Sequence, residues 1–257
     1  MNAGMRLADK TAIVTGAGSG IGNATVRKFL EEGAKVLATD LNETSLEEMK
    51  REFASLETFR GDVSRNDDAV AIIAAAQEKW GRLDILVNSA GITARNVGER
   101  ASLEERWDKV MEVNVKGSML MAHAAVPAMR KSGSGAVINL SSVMGCCGYP
   151  TALDFSDGFN PYPSSKGAVS QLTRDMGVRF AGEGIRVNAV APGFVHTSLT
   201  ENVTKNPEIL KTLNGLHPAG RMGTAEEIAN VIAFLASDEA SFVNGAVWMV
   251  DGGYSAQ

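Results

Sequence analysis

The stretch Thr11-Ala-Ile-Val-Thr-Gly-Ala-Gly-Ser-Gly-Ile-Gly22 decides how this chain folds. Its first residues form a short β-rich apolar run, and after the glycines Ile21, Ala24, Thr25 and Phe29 recur at three- and four-residue steps, which gives a helix one buried stripe. A strand that runs through glycines into a helix has a specific use. Positions without side chains let the backbone turn tightly, let a pyrophosphate approach the helix N-terminus, and let that helix pack closely on the strand. The literal G-x-G-x-x-G fingerprint is absent, because Ile21 and Asn23 stand where its last glycine would fall; Gly16, Gly20 and Gly22 carry the turn. A purely structural glycine turn is the competing reading, and Asp40 weighs against it. That carboxylate ends the second apolar run, about twenty residues on, where it accepts hydrogen bonds from an adenosine ribose and repels a 2′-phosphate. The alternative for Asp40 is a solvated strand end. Neither Ser19 nor Leu41 supplies an Arg or Lys for a phosphate, so the coenzyme expected is NAD rather than NADP.

Outward from this turn the same alternation continues. Ala34–Thr39, Asp84–Val87, Ala136–Leu140, Arg186–Val190 and Ala246–Val250 are further apolar runs, with Thr58–Arg60 a weaker one. They are apolar on both faces rather than alternating, as a parallel strand covered by helices on both sides requires. Gly33 sits where the first helix should stop, and Thr224-Ala-Glu-Glu227 has the spacing of a capping box before Ile228, Val231, Ile232 and Leu235. No internal repeat, charge block or low-complexity linker interrupts the pattern. One doubly wound α/β domain, residues 1–257, is predicted.

The 257 residues are 44% hydrophobic and 21% charged, enough for one substantial core. Twenty-five Lys and Arg against thirty Asp and Glu give a formal charge of −5, which denies the protein a basic footprint for nucleic acid or anionic lipid. The two cysteines, Cys146 and Cys147, are adjacent and build no disulfide framework. Together with His123, His196 and His217 they show no ligand spacing, so no metal site is expected. Met1–Lys10 lacks the apolar stretch of a secretion signal, and no window reaches the roughly eighteen apolar residues of a spanning helix. A soluble, cytoplasmic protein is the expectation.

Further motifs follow in order: Asn88-Ser-Ala-Gly91 after a strand, Asn114 within Val113-Asn-Val-Lys-Gly117, Ser142 after another strand, Tyr162-Pro-Ser-Ser-Lys166, and Pro192-Gly193. Together with the glycine turn, they resemble the short-chain dehydrogenase/reductase family over essentially the whole chain. The resemblance implies a single-domain Rossmann-type sheet of seven parallel strands flanked by helices, a nicotinamide cofactor, and a catalytic group on Asn114, Ser142, Tyr162 and Lys166. It also implies coenzyme contacts from Gly16, Ser19, Gly20, Ile21, Gly22 and Asp40, from Asp62 and Val63, and from Asn88, Ala90 and Gly91. Tyr162, Lys166, Pro192, Gly193, Val195 and Thr197 complete that set, with Lys166 on the nicotinamide ribose, Asn114 supporting a water chain, and a homotetramer as the usual assembly. Two departures stand: Asn88-Ser89 replaces the family's usual Asn-Asn, and the interval from Ser142 to Tyr162 is longer than usual.

Chemistry asks for these residue types. Tyr162 and Lys166 are four apart and share one helix face. A nearby cation and an oxidised nicotinamide favour phenolate, moving Tyr162 from an ordinary pKa of about 10 toward use as a general base. Ser142 then orients the reacting alcohol or carbonyl. Singly, these residues also read as a buried Tyr with a snorkelling Lys, a strand-end Ser and an Asn in a helix kink. The expected activity is hydride transfer between NAD(H) and a secondary alcohol or ketone, with polyols, sugars and cyclic alcohols as candidates. An NADPH-dependent 3-oxoacyl thioester reductase and a non-catalytic nucleotide-binding scaffold are the alternatives. Val143–Pro161 carries Tyr149, Leu153, Phe155 and Phe159 on a Gly- and Pro-broken segment, so it is read as one wall of the substrate pocket, with Phe194 to about Leu216 opposite. Cys146 and Cys147 are expected to help shape that wall, and Asp154 and Asp157 to recognise hydroxyls.

Overall fold

In a computed structural model that describes residues 5–153 and 155–257, the seven apolar runs pair into one parallel sheet. Its strands are β1 (Thr11–Thr15), β2 (Lys35–Asp40), β3 (Glu57–Arg60), β4 (Ile85–Asn88), β5 (Gly135–Leu140), β6 (Ile185–Pro192) and β9 (Val247–Val250). Two short strands, β7 (Val195–His196) and β8 (Gly223–Thr224), pair with each other apart from it. The helices are α1 (Gly20–Glu31), α2 (Glu43–Glu52), α3 (Asn66–Trp80), α4 (Leu103–Met111), α5 (Ser118–Ser132), α6 (Pro161–Phe180), α7 (Glu201–Thr204), α8 (Pro207–Gly215) and α9 (Ala225–Ala236). A π-helical stretch, Glu112–Gly117, joins α4 to α5.

Strand order across the main sheet is β3-β2-β1-β4-β5-β6-β9. The chain winds outward from β1 to β3, returns to β4 on the other side of β1, and winds outward again. The order therefore reverses between β1 and β4, and a crevice opens beyond their C-terminal ends. Successive side chains of a strand point to opposite faces, so both faces need apolar cover. Val14 joins Val26, Phe29 and Ile232 beneath α1 and α9, whereas its neighbour Ile13 joins Ile72, Met121 and Val187 beneath α3 and α5. The ends of the helices follow their local chemistry. Gly33, at φ 84°, lies just past α1. Thr224 Oγ1 accepts from the Glu227 N–H at 3.3 Å while the Glu227 carboxylate accepts from the Thr224 N–H at 2.9 Å, closing the predicted box.

The apolar content of α5 and α6 is spent largely within the domain: Met121, Ala125, Val126, Met129 and Met176 are buried against its own sheet. Among the large apolar side chains that stay exposed are Trp107, Met119 and Val178 on α4, α5 and α6 and Trp248 and Met249 on the edge strand β9. No helix of the described residues is long and apolar enough to cross a membrane.

Candidate active site

The glycine turn is shaped by contact. Gly16 has φ 65°, and a Cβ there would lie 2.7 Å from the Ala90 backbone, so the loops after β1 and β4 touch. At Gly22 a Cβ would lie 2.1 Å from the Gly16 carbonyl oxygen, which leaves no room for any side chain where α1 packs on the turn. Asp40 is fixed beside them: its carboxylate accepts from the Gly18 N–H and from the Asn42 N–H, each at 2.9 Å. Backbone donors thus hold a negative charge at the end of β2. Across the strand pair, Arg60 stands in register with Asp40, and its Nε donates to the Leu41 carbonyl at 3.3 Å. Sequence spacing hides this arginine, since it arrives through the register of β3 on β2.

The turn opens onto a cleft of about 1120 Å3 at the sheet's crevice. Gly16, Ser19, Gly20, Ile21, Gly22 and Asp40 line it, as do Asp62 and Val63 after β3, Ala90 and Gly91 after β4, and Pro192, Gly193, Val195 and Thr197 after β6. The loop after β6 lies close on the glycine turn: a Cβ at Gly20 would be 3.3 Å from Thr197 Cβ, and Ser198 Oγ donates to Ser19 Oγ at 3.1 Å. Asp62 is held by its own turn, with Oδ1 accepting from the Ser64 N–H and hydroxyl. A glycine cradle with no room for side chains, facing a fixed carboxylate, fits the pyrophosphate and the adenosine ribose of an adenine dinucleotide.

Two predicted residues face the protein rather than the cleft. Asn88 is buried; its Nδ2 donates to Asn139 Oδ1 at 2.9 Å and to the Ser118 carbonyl at 3.2 Å, and Asn139 donates onward to Thr173 Oγ1. Asn114, also buried, sits in the π-helical stretch. Its Oδ1 accepts from the Ile92 N–H at 2.8 Å, and its Nδ2 donates to the Ile92 carbonyl and to Ser165 Oγ, both at 2.9 Å. These amides tie the exit of β4 to β5, α5 and α6.

Ser142, Tyr162 and Lys166 do meet in the cleft. Asn160 caps α6 by accepting from the Tyr162 N–H at 3.0 Å, and Pro161 opens the helix, which aims the first turn across the end of β5. Burial pushes the Tyr162 phenol up, and the Ser142 hydroxyl opposes that shift. Lys166 Nζ lies 5.6 Å from the Tyr162 ring centre and donates to the Leu140 carbonyl at 2.6 Å. Burial lowers the Lys166 ammonium to about 8. Gly91 makes space for this group, since a Cβ there would lie 3.3 Å from Asn114 Oδ1 and 3.4 Å from Lys166 Nζ.

At the other end of the cleft the segment Val143–Pro161 supplies Tyr149, Phe155, Ser156, Asp157 and Phe159, and the segment from Phe194 supplies Leu199, Thr200 and Val203. The two segments are not separate walls: Leu153 and Phe155 pack with Phe194, Leu213 and Met222 in one apolar cluster. Cys146 and Cys147 do not line the cleft; Cys147 packs behind it with Met144 and Tyr254. Asp154 lies outside the described residues. Phe194 is pinned by His217, whose Nε2 accepts from the Phe194 N–H at 3.2 Å and whose Nδ1 faces the Leu213 carbonyl at 2.7 Å. Only the neutral tautomer with hydrogen on Nδ1 satisfies both. His196 is exposed, and among the described residues no three of His, Cys, Asp and Glu gather as metal ligands would. The cleft also has a third side that sequence spacing left unremarked: Arg95 in the 3-10 turn Ala94–Asn96, and Leu103 and Arg106 on α4.

A family model described as enoyl-(acyl carrier protein) reductase matches residues 16–255. The chain is 40% identical to the 3-oxoacyl-(acyl-carrier-protein) reductase FabG of Thermotoga maritima, over 97% of this chain and 99% of that protein. It is 38% identical to the cis-4-hydroxycyclohexanecarboxylate dehydrogenase of Sinomonas cyclohexanicum, over 98% and 99%. A crystal structure of levodione reductase superposes with a TM-score of 0.87 at 36% identity, covering 98% of this chain and 99% of that one.

Proposed function

Because the chain belongs to the short-chain dehydrogenase/reductase family, we propose that residues 1–257 form one dinucleotide-binding and catalytic domain that interconverts a secondary alcohol and its ketone with NAD(H). The observation that carries this reading is the meeting of Tyr162, Ser142 and a desolvated Lys166 in the cleft that begins at the glycine turn. In alcohol oxidation Ser142 positions the substrate oxygen and Tyr162 takes its proton, with Lys166 as the cation that makes phenolate accessible. An oxidised nicotinamide bound in this cleft would supply the hydride acceptor and a positive charge beside the phenol. Lys166 would also hold the nicotinamide ribose. Asn114, whose amide is fully engaged by Ile92 and Ser165, acts as a positioning residue: it holds the β4 exit against α6 and borders the proton's route to solvent. Asn88 is a second positioning residue, tying the end of β4 to β5 and α5.

The glycine turn, Asp62-Val63, Ala90-Gly91 and Pro192–Thr197 make the remaining coenzyme contacts. Asp40 favours NAD by accepting from ribose hydroxyls and repelling a 2′-phosphate. Arg60, in register beside it, favours the second reading, an NADPH-dependent 3-oxoacyl thioester reductase like the Thermotoga relative. Absorbance at the reduced-nicotinamide band, with NAD and NADP each offered cyclic alcohols, polyols and hydroxy-steroids, and NADPH offered a 3-oxoacyl thioester, tests both. Turnover confined to the thioester with NADPH rejects the first reading. The protein is proposed to work in the cytoplasm as a homotetramer. Exposed Trp107, Met119 and Val178 and the open apolar edge at β9 support assembly, and light scattering showing a monomer at micromolar concentration would reject it.

A further inference from the structure

A line of aromatic rings leads away from Tyr162 and ends on a cation. Tyr149 packs in the same apolar cluster as Tyr162; its ring meets Phe155 edge-on at 6.1 Å, and Phe155 in turn lies 6.4 Å from Phe194. The Arg95 guanidinium stacks over the Phe155 ring at 4.9 Å. Its turn is held in place, since Thr93 donates from both N–H and hydroxyl to Asn96 Oδ1. Stacked this way, a guanidinium keeps its in-plane N–H donors free for a planar anion. Among the described residues Arg95 makes no ion pair, although it lines the cleft. Arg106 adds a second cation on the same side: one Nη donates to the Glu99 carbonyl at 2.8 Å, while its Nε is buried with no partner among the described residues. Among the described residues the acidic groups lining this end are Glu99 and Asp157, both exposed, and Asp157 Oδ1 is already taken by the Phe159 N–H.

We propose that the substrate is a secondary alcohol or ketone with an apolar ring or chain that carries a carboxylate at the end away from the reacting carbon, and that Arg95 selects it. The inference rests on the dehydrogenase reading for the reacting end, while the anion site stands on its own geometry. The rings cover the apolar body, and Arg95 with Arg106 receives the charge.

Calorimetry on the NADH-loaded enzyme tests the site without turnover. Cyclohexanecarboxylate should bind at least about tenfold tighter than cyclohexanecarboxamide, the low end for hydrogen bonds to a charged group. R95M should bring the two within about threefold of each other, and R95K should keep an intermediate preference because it retains charge but not the planar fork. The preference of kcat/KM for 4-hydroxycyclohexanecarboxylate over its methyl ester should fall in step. Equal binding of carboxylate and amide overturns the proposal, and a preference that survives R95M overturns the role of Arg95. If the carboxylate preference is present and lost in R95M, yet no secondary alcohol reduces either coenzyme, the anion site stands and the dehydrogenase reading falls.

Discussion

Lys166→Met should make the coenzyme-free protein more stable, not less. Lys166 is 5% exposed, and burial lowers its ammonium from an ordinary 10.5 to about 8. The folded state therefore disfavours the charge, by roughly 3 kcal/mol at neutral pH. Methionine fills nearly the same volume without charge, but it leaves the Leu140 carbonyl without its donor, which costs about 1–2 kcal/mol. The net gain is roughly 2 kcal/mol, or about 4–8 °C in Tm for a chain of this size. Its pH dependence identifies the cause. Because the folded-state pKa lies below the unfolded one, the unfolded chain binds more protons between the two values, and wild-type stability rises with pH through that window. The advantage of K166M should therefore be full at pH 6 and smaller, by on the order of 1 kcal/mol, at pH 9. Measurements stop there because the raised Tyr162 pKa works in the opposite direction above pH 10. Urea unfolding at fixed protomer concentration from pH 6 to 9 gives the result. A K166M protein less stable than wild type at pH 6, or a difference that does not narrow with pH, would refute the reasoning.

Tyr162→Phe removes only the ionisable hydroxyl, so kcat should drop at least about 10²-fold with coenzyme affinity by fluorescence titration within a few fold; retention of a tenth of the activity rejects the general base. Asp40→Asn removes the charge while keeping one of the two oxygens to which the Gly18 and Asn42 N–H groups donate, and the kcat/KM ratio of NAD to NADP should fall at least about tenfold, a 1.4 kcal/mol change. An unchanged ratio would transfer coenzyme choice to other residues, Arg60 first. His217→Ala strands the Phe194 N–H and should cost about 1–3 kcal/mol in urea unfolding; a stability equal to wild type contradicts the buried-tautomer argument.

Much of this was legible in the chain because its causes are local. Both-face apolarity is written into each strand, and the structure moves no strand end by more than two residues from the sequence expectation. The four-residue step from Tyr162 to Lys166 and the Pro161 start of α6 likewise need no tertiary knowledge. What eluded the sequence depends on strand register or on side-chain rotation. Arg60 stands beside Asp40 only because β3 pairs with β2, twenty residues apart in the chain. Asn88 and Asn114 stand at the expected positions, but their amides rotate into the protein to satisfy buried backbone groups. The apolar faces of α5 and α6 go mostly to the domain's own sheet, which is buried on both faces. Arg95 lay four residues beyond a recognised motif, and nothing in its neighbours says that a phenylalanine sixty residues later will come to rest beneath it.

The loop between Gly148 and Asn160 holds itself together by short-range bonds, from the Gly158 N–H to Ser156 Oγ, from the Phe159 N–H to Asp157 Oδ1 and from Asn160 Nδ2 to the Phe155 carbonyl. The glycine turn, by contrast, is locked by backbone contacts to the β4 exit that tolerate no added atom. Heredity meets two different materials here. A side chain added at the turn would collide with backbone, whereas the loop's own bonds leave its length and outward residues free of that constraint. Selection acting on such a chain would keep one redox engine and trade its fuels, and grafting a foreign cassette between Ser142 and Tyr162 is the laboratory version of that trade.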